Sequence, residues 1–231
     1  MSDMSAIETA LHGVRALIAD GTLQPGDRLP SEGELSDRLG VSRGSIREAI
    51  RTFAALGVLD TRRGSGSFVG ELRAADVIQT LSLTIGLLPL ESILELYELR
   101  RVLEAHAASL AAARCDPDTL AGLDELLDRL EATTDDEQQS ALDHEFHMRI
   151  LALGGNEALS AMVGVLRARS RAYHLFPSAE GATVKALSDA GHRAILRGLG
   201  ARDPVAASAA AAAHVSQTEA WLRKLRPDPA G

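Results

Sequence analysis

The sequence predicts a mainly α-helical protein in two parts: a winged helix-turn-helix (three helices plus a β-hairpin wing) over residues 1–73, then an antiparallel all-helical bundle over 74–231. Three observations predict it. A paired-strand pattern flanks Arg63-Gly64-Ser65-Gly66. Two short, capped helical segments joined by a tight turn precede that hairpin. Beyond about Ala75 there is helical periodicity punctuated by breakers, and no alternating strand pattern.

The elements follow in order. Ile7, Ala10, Leu11, Val14, Leu17 and Ile18 form one helical stripe, closed by Asp20-Gly21. Gln24-Pro25-Gly26-Asp27 makes a turn into a short extended piece, Arg28-Leu29-Pro30. Ser31 and Glu34 have capping-box spacing, so a helix begins there and runs to Leu39, where Gly40 stops it. Ser42 caps the next helix, about Arg43 to Leu56. Ile46, Ala49, Ile50 and Phe53 form its apolar stripe, while Arg43, Arg47 and Arg51 recur every four residues on another face. Gly57 ends it. Val58–Arg62 and Ser67–Val69 then read as the two strands of a wing. In the second half, helices are expected at about 76–88, 91–114, 117–132, 137–153, 156–175, 181–199 and 204–225. Pro89, Asp116-Pro117, Gly154-Gly155, Pro177 and Asp203-Pro204 separate most of them. The alanine run Ala206–Ala213 reads as a closely packed helix, because alanine is the best helix former and lets helices approach.

Composition narrows the function classes. A chain that is 45% hydrophobic and 24% charged is globular, not disordered or fibrous. The net charge of −8 argues weakly against nucleic acid, yet Ser42–Arg73 holds six arginines against three acids, a local basic patch. The single cysteine, Cys115, excludes an intrachain disulfide. The opening MSDMSAIETALHG has no basic-then-apolar pattern, and the apolar stretch 77–90 is interrupted by Gln79, Ser82, Thr84 and Pro89. A cytoplasmic protein with no membrane partner is therefore expected.

The run Pro25–Glu32, then Leu39-Gly40-Val41-Ser42-Arg43, Ile46-Arg47-Glu48-Ala49, Leu56-Gly57-Val58-Leu59 and Arg63–Val69, closely resembles the DNA-binding domain of the GntR superfamily. The second half resembles the FCD-type sensor domain of the FadR subfamily. That match is carried by Glu98–Glu104, Asp143-His144-Glu145-Phe146-His147, His192–Leu196 and His214. The resemblance implies a ligand-responsive transcriptional regulator, by default a repressor, acting as a homodimer on near-palindromic double-stranded operator DNA.

The helix beginning at Arg43 would present its N-terminal turn to the major groove, with Arg43 and Arg47 as base or backbone contacts and Ser42 and Ser45 as lesser polar ones. The resemblance adds Gly64, which lets the wing tip approach the minor groove, and Arg62 and Arg63 are expected on phosphates. An alternative pairs Arg47 with Glu48 or Glu34 as a surface residue. One departure stands out: many relatives carry a DNA-contacting arginine where this chain has Gly33.

Asp143 and His147 lie four apart and share a helix face. With His192 and His214 they match the FCD spacing, which implies a divalent metal: zinc first, with nickel, manganese or cobalt compatible with the same donors. The family pattern places a small organic-acid effector at the metal, and Arg100 would clamp its carboxylate. Arg101 is expected on the surface or paired with Glu104 or Glu98, and His144 on the surface or behind the site. His12, His106 and His174 have no such companions, while Tyr173 and Trp221 read as core or interface aromatics. Two other readings compete: a metal-dependent hydrolase on a helical bundle, which would leave the N-terminal half unexplained, and a regulator whose metal is purely structural.

Overall fold

The computed structural model describes residues 5–170, 173 and 180–227. They form two compact units, divided between Thr80 and Leu81. In the first unit, α1 (Ala6–Ala19), α2 (Glu32–Leu39) and α3 (Arg43–Ala55) precede an antiparallel hairpin of β1 (Leu59–Arg62) and β2 (Gly66–Val69). Ala10, Val14 and Leu17 of α1, Leu35 of α2, and Ile46 and Ala49 of α3 are buried together with Leu59 and Val69 of the hairpin. The predicted capping box is present: the Ser31 amide donates to Glu34 (2.8 Å) and the Glu34 amide to Ser31 Oγ (3.2 Å). The extended piece at Arg28 pairs with Phe68 on the free edge of β2, and Leu29 drops into the core. The wing is thus braced by a third, very short strand.

The region expected as one helix over 76–88 is instead two short ones, α4 (Ala74–Gln79) and α5 (Ser82–Ile85). Neither buries a residue, so no packed face holds a continuous helix together. At the break the Thr80 hydroxyl donates to the Val77 carbonyl (2.7 Å), a local bond that competes with the helical ladder.

The second unit contains α6 (Leu90–Arg114), α7 (Pro117–Ala132), α8 (Asp136–Leu153), α9 (Glu157–Ser170), α10 (Gly181–Gly200) and α11 (Pro204–Leu225). These six helices form the bundle. Asp116 and Asp203 cap α7 and α11, each followed by proline at the first helical position, as the Asp-Pro pairs predict. The expected helix over 156–175 ends at Ser170; its positions 171, 172, 174 and 175, with His174, lie outside the described residues. Tyr173 is buried in a cluster with Ile93, Leu94, Tyr97 and Val184. Trp221 packs against it, half-buried. Long α6 lies along α11, and α11 along α10. The alanine run works as expected: a β-carbon added at Gly198 of α10 would lie 2.7 Å from the backbone of Ala207, so these two helices touch backbone to backbone. Among the described residues no helix is long and apolar enough to cross a membrane.

Candidate nucleic-acid interface and metal centre

In the first unit, Ser42 caps α3 by accepting from the Ser45 amide (3.1 Å), and the two hydroxyls are 2.9 Å apart. Ser45 is itself buried, so this pair builds the start of the helix. Arg43 projects from that start and is exposed. A β-carbon at Gly33 would lie 3.4 Å from Arg43 Nη2. The guanidinium of Arg43 therefore occupies the space over Gly33.

Arg47 donates through Nε (3.0 Å) and Nη2 (2.6 Å) to both oxygens of Glu32. This bidentate contact holds the Glu32 carboxyl below its ordinary range. The partner is neither Glu48 nor Glu34, the two candidates from sequence: Glu48 is taken by Arg51 (2.8 Å) and Glu34 by the Ser31 amide. Glu32 is the residue sequence reasoning missed, since a contact across fifteen positions leaves no local pattern. On the wing, Arg62 lies over the Phe68 ring at 4.7 Å, Arg63 is exposed, and Gly64 turns the tip at φ +78°. Between α3 and the hairpin runs a groove of about 800 Å³, lined in part by Arg28, Arg47, Arg51, Thr61 and Ser67.

In the second unit, Asp143 and His147 from α8, His192 from α10 and His214 from α11 bring one donor atom each within 4.8 Å of one another. The three imidazoles are buried; Asp143 is partly exposed. His147 Nε2 is 3.3 Å from His192 Nε2, and Asp143 Oδ1 is 3.2 Å from His192 Nε2. A tetrahedral ion with bonds of about 2.0–2.1 Å places its donors roughly 3.3 Å apart, so these spacings fit one. Glu104 fixes the tautomer of His147. Its Oε2 lies 3.1 Å from His147 Nδ1, which leaves the Nε2 lone pair facing the other donors. Nδ1 of His192 and Nδ1 of His214 are buried with no hydrogen-bond partner among the described residues. His214 reaches the cluster past Gly191, where a β-carbon would lie only 2.6 Å from its Nδ1.

Two buried arginines stand behind the donors. Arg167 of α9 contacts Glu104 (3.1 Å) and Asp143. Arg100 donates to the other oxygen of Glu104 (2.9 Å), with its guanidinium over Tyr97. Burial alone would raise the carboxyls, but the arginines prevail. Glu104, facing Arg100 and Arg167, and Asp143, facing Arg167, stay ionised well below the ordinary carboxylate range. Burial, with the Arg167 charge second, pushes His147 down to about 4. Burial, then its two histidine neighbours, holds His214 well below the usual histidine range. These two imidazoles are neutral at pH 7, the form that ligates.

Arg100 thus lies one residue behind the cluster, acting on it through Glu104. Arg101 is not paired with Glu104, which faces inward with Arg100; its partner is Glu219 of α11 at 3.6 Å. His144 is half-buried. Sequence reasoning missed Arg167 and Gly191. Glu104 entered the sequence reading only within the Glu98–Glu104 stretch and as a candidate partner of Arg101, not of Arg100.

A recognition-helix and wing unit followed by a helical bundle with a buried four-donor cluster defines a two-part DNA-binding transcriptional regulator. Residues 6–69 match the family described as bacterial regulatory proteins, gntR family, and residues 95–217 match the FCD domain. The chain belongs to the GntR family of transcriptional regulators, with an FCD domain as its second half. It is 30% identical over 221 residues to the HTH-type transcriptional regulator Rv0494 of Mycobacterium tuberculosis, covering 92% of this chain and 88% of that one. It is 32% identical over 151 residues to the HTH-type transcriptional regulator LutR of Bacillus subtilis, covering 64% and 67%. Among solved structures it resembles a GntR protein of Streptococcus agalactiae, with a TM-score of 0.58, 28% identity, and 93% and 99% coverage. These relatives are regulators, not enzymes, and the hydrolase reading falls with that.

Proposed function

We propose that the chain is a homodimeric repressor that reads a near-palindromic operator through residues 1–73 and senses a small organic acid through a metal held in residues 74–231. Arg43 and Arg47 contact bases or backbone at the start of α3. Arg62 and Arg63 contact phosphates, Gly64 lets the wing tip into the minor groove, and Ser42 and Ser45 shape the helix start. Asp143, His147, His192 and His214 hold the ion, zinc in the first instance, with nickel or manganese as alternatives. A bound divalent ion would supply a coordination point for a carboxylate oxygen. Arg100 and Arg167, sharing Glu104, would orient the acid against it. Leu99 and Val102, exposed on α6, are apolar residues that a second copy would cover.

The observation that carries the sensing half is the convergence of one carboxylate and three buried imidazoles from three helices. The test is fluorescence anisotropy on a duplex selected by the protein from a random library. A panel of small carboxylates is added to zinc-loaded and to chelated protein. A carboxylate that changes DNA affinity only in the zinc-loaded protein supports the reading; no response from either form contradicts it. One observation favours the structural-metal reading. The cavity beside His147, lined by Glu104, Ile150, Ile195 and Ala211 among others, is about 10 Å³, room for one water. In that case zinc raises thermal stability and every carboxylate leaves DNA affinity unchanged.

A further inference from the structure

Arg28 lies outside the helix-turn-helix and the wing proper, on the short strand that braces the hairpin. Three backbone bonds fix that strand: the Gly26 amide to the Val69 carbonyl, the Leu29 amide to the Ser67 carbonyl, and the Val69 amide to the Asp27 carbonyl, each 2.8 Å. With Leu29 buried, alternation along an extended chain turns Arg28 to the opposite side. Its side chain is exposed, and among the described residues no ion pair or hydrogen bond engages it. It lies across Gly66, which pairs with Arg62 at the tip end of the wing. A β-carbon at Gly66 would be 3.1 Å from Arg28 Nε and 3.4 Å from Nη2, so any side chain there would push the guanidinium aside. Gly66 also sits at φ +99°, which disfavours any other residue. The bare backbone of Gly66 is thus the seat of the Arg28 head.

That seat opens on the groove between α3 and the hairpin. The charges lining the groove are largely spent on each other. Glu32 is held by Arg47, Glu34 by the Ser31 amide, and Arg51 by Glu48 from outside the groove. Among the described residues that line the groove, Arg28 is the cation without an ion pair. When a recognition helix occupies the major groove and a wing the adjacent minor groove, the strand of phosphates dividing the two grooves must pass between helix and wing. An unpaired guanidinium held there on a fixed strand meets a phosphodiester, and it reads charge rather than sequence.

We infer that Arg28 is a DNA-backbone contact, clamping the phosphate strand that crosses between α3 and the wing. The inference rests on the proposal that α3 and the wing grip DNA. It is tested with full-length protein by anisotropy titrations over a salt series, on the selected duplex and on an unrelated one. Wild type, Arg28→Ala, Arg28→Lys, Arg47→Ala and, as a control in the second unit, Arg129→Ala are compared, with thermal melting to verify folding. Loss of one phosphate contact lowers the slope of log K against log salt by about 0.9. Arg28→Ala is expected to show that drop on both duplexes alike, Arg28→Lys to restore most of it, and Arg129→Ala to show none. An Arg28→Ala slope equal to wild type, while Arg47→Ala loses selectivity, overturns this inference and leaves the DNA-reading proposal standing. A wild-type chain that selects no duplex overturns both. A drop confined to the selected duplex would make Arg28 a sequence reader and also overturn the backbone assignment.

Discussion

Replacing Gly191 by alanine perturbs the Asp143–His147–His192–His214 cluster through a single methyl group. The added carbon would lie 2.6 Å from His214 Nδ1, 3.3 Å from its Cγ and 3.4 Å from its Cβ. Contact between carbons is comfortable only near 3.5–4.0 Å, so the imidazole must move by about 1 Å or turn away. Holding it in place against the methyl costs about 1–3 kcal/mol, the usual range for overpacking a filled interior. At about 1.4 kcal/mol per factor of ten, zinc affinity falls roughly 5- to 150-fold. The metal-free fold should behave differently. Alanine gains about 1 kcal/mol over glycine inside a helix, which offsets part of the clash once His214 is free to swing aside. The expected result is near-wild-type stability without metal and a much smaller stabilisation on adding zinc. Competition against a fluorescent chelator gives the affinity, and thermal melting with and without zinc gives the stability. Wild-type zinc affinity in Gly191→Ala would refute the placement of His214 among the donors.

Three other perturbations have defined outcomes. Arg47→Ala should abolish discrimination between the selected and unrelated duplexes while leaving melting unchanged, because its hydrogen-bond partner Glu32 is partly exposed and can be hydrated; retained discrimination in anisotropy would remove Arg47 from the interface. Gly198→Ala sets a β-carbon 2.7 Å from the Ala207 backbone, which cannot rotate away as a side chain can, so α10 and α11 must separate. Urea denaturation should show a loss of about 1–3 kcal/mol, and an unchanged midpoint would contradict the backbone-to-backbone contact. For the metal-free protein, His147 takes a proton at about 4 when folded but at its ordinary 6.5 when unfolded. The unfolded chain therefore binds more protons as pH falls, and stability is lost between pH 6.5 and 4, by about 3 kcal/mol from this group. Ionised Asp143 and Glu104 extend the loss to lower pH, since both hold off protonation in the fold. Denaturation midpoints flat from pH 7 to 4 would count against the buried, neutral imidazole.

The helix-turn-helix was legible because its signals are local. Capping residues, a stop glycine and an apolar stripe all lie within a few positions of what they determine. The four clustered donors were legible for a different reason: residues far apart in sequence were grouped through the spacing they share with FCD domains, and they do converge. What stayed hidden depends on contacts between elements. Arg167 carries no motif, and only the packing of α9 against α6 and α8 brings it to Glu104 and Asp143. Gly191 looks like any helical glycine until His214 is seen behind it. Likewise Glu32 claims Arg47 only once α2 and α3 are packed together. The single helix expected over 76–88 failed because periodicity shows which residues could share a face, not whether anything covers it. Val77, Leu81, Leu83 and Leu87 are all exposed.

Elemental analysis of untagged protein, wild type beside His192→Ala, tests the metal centre most directly. About one divalent transition metal per chain in wild type, lost in His192→Ala, is the predicted result. Wild-type protein that takes up no metal after incubation with zinc, nickel or manganese would contradict the assignment of Asp143, His147, His192 and His214.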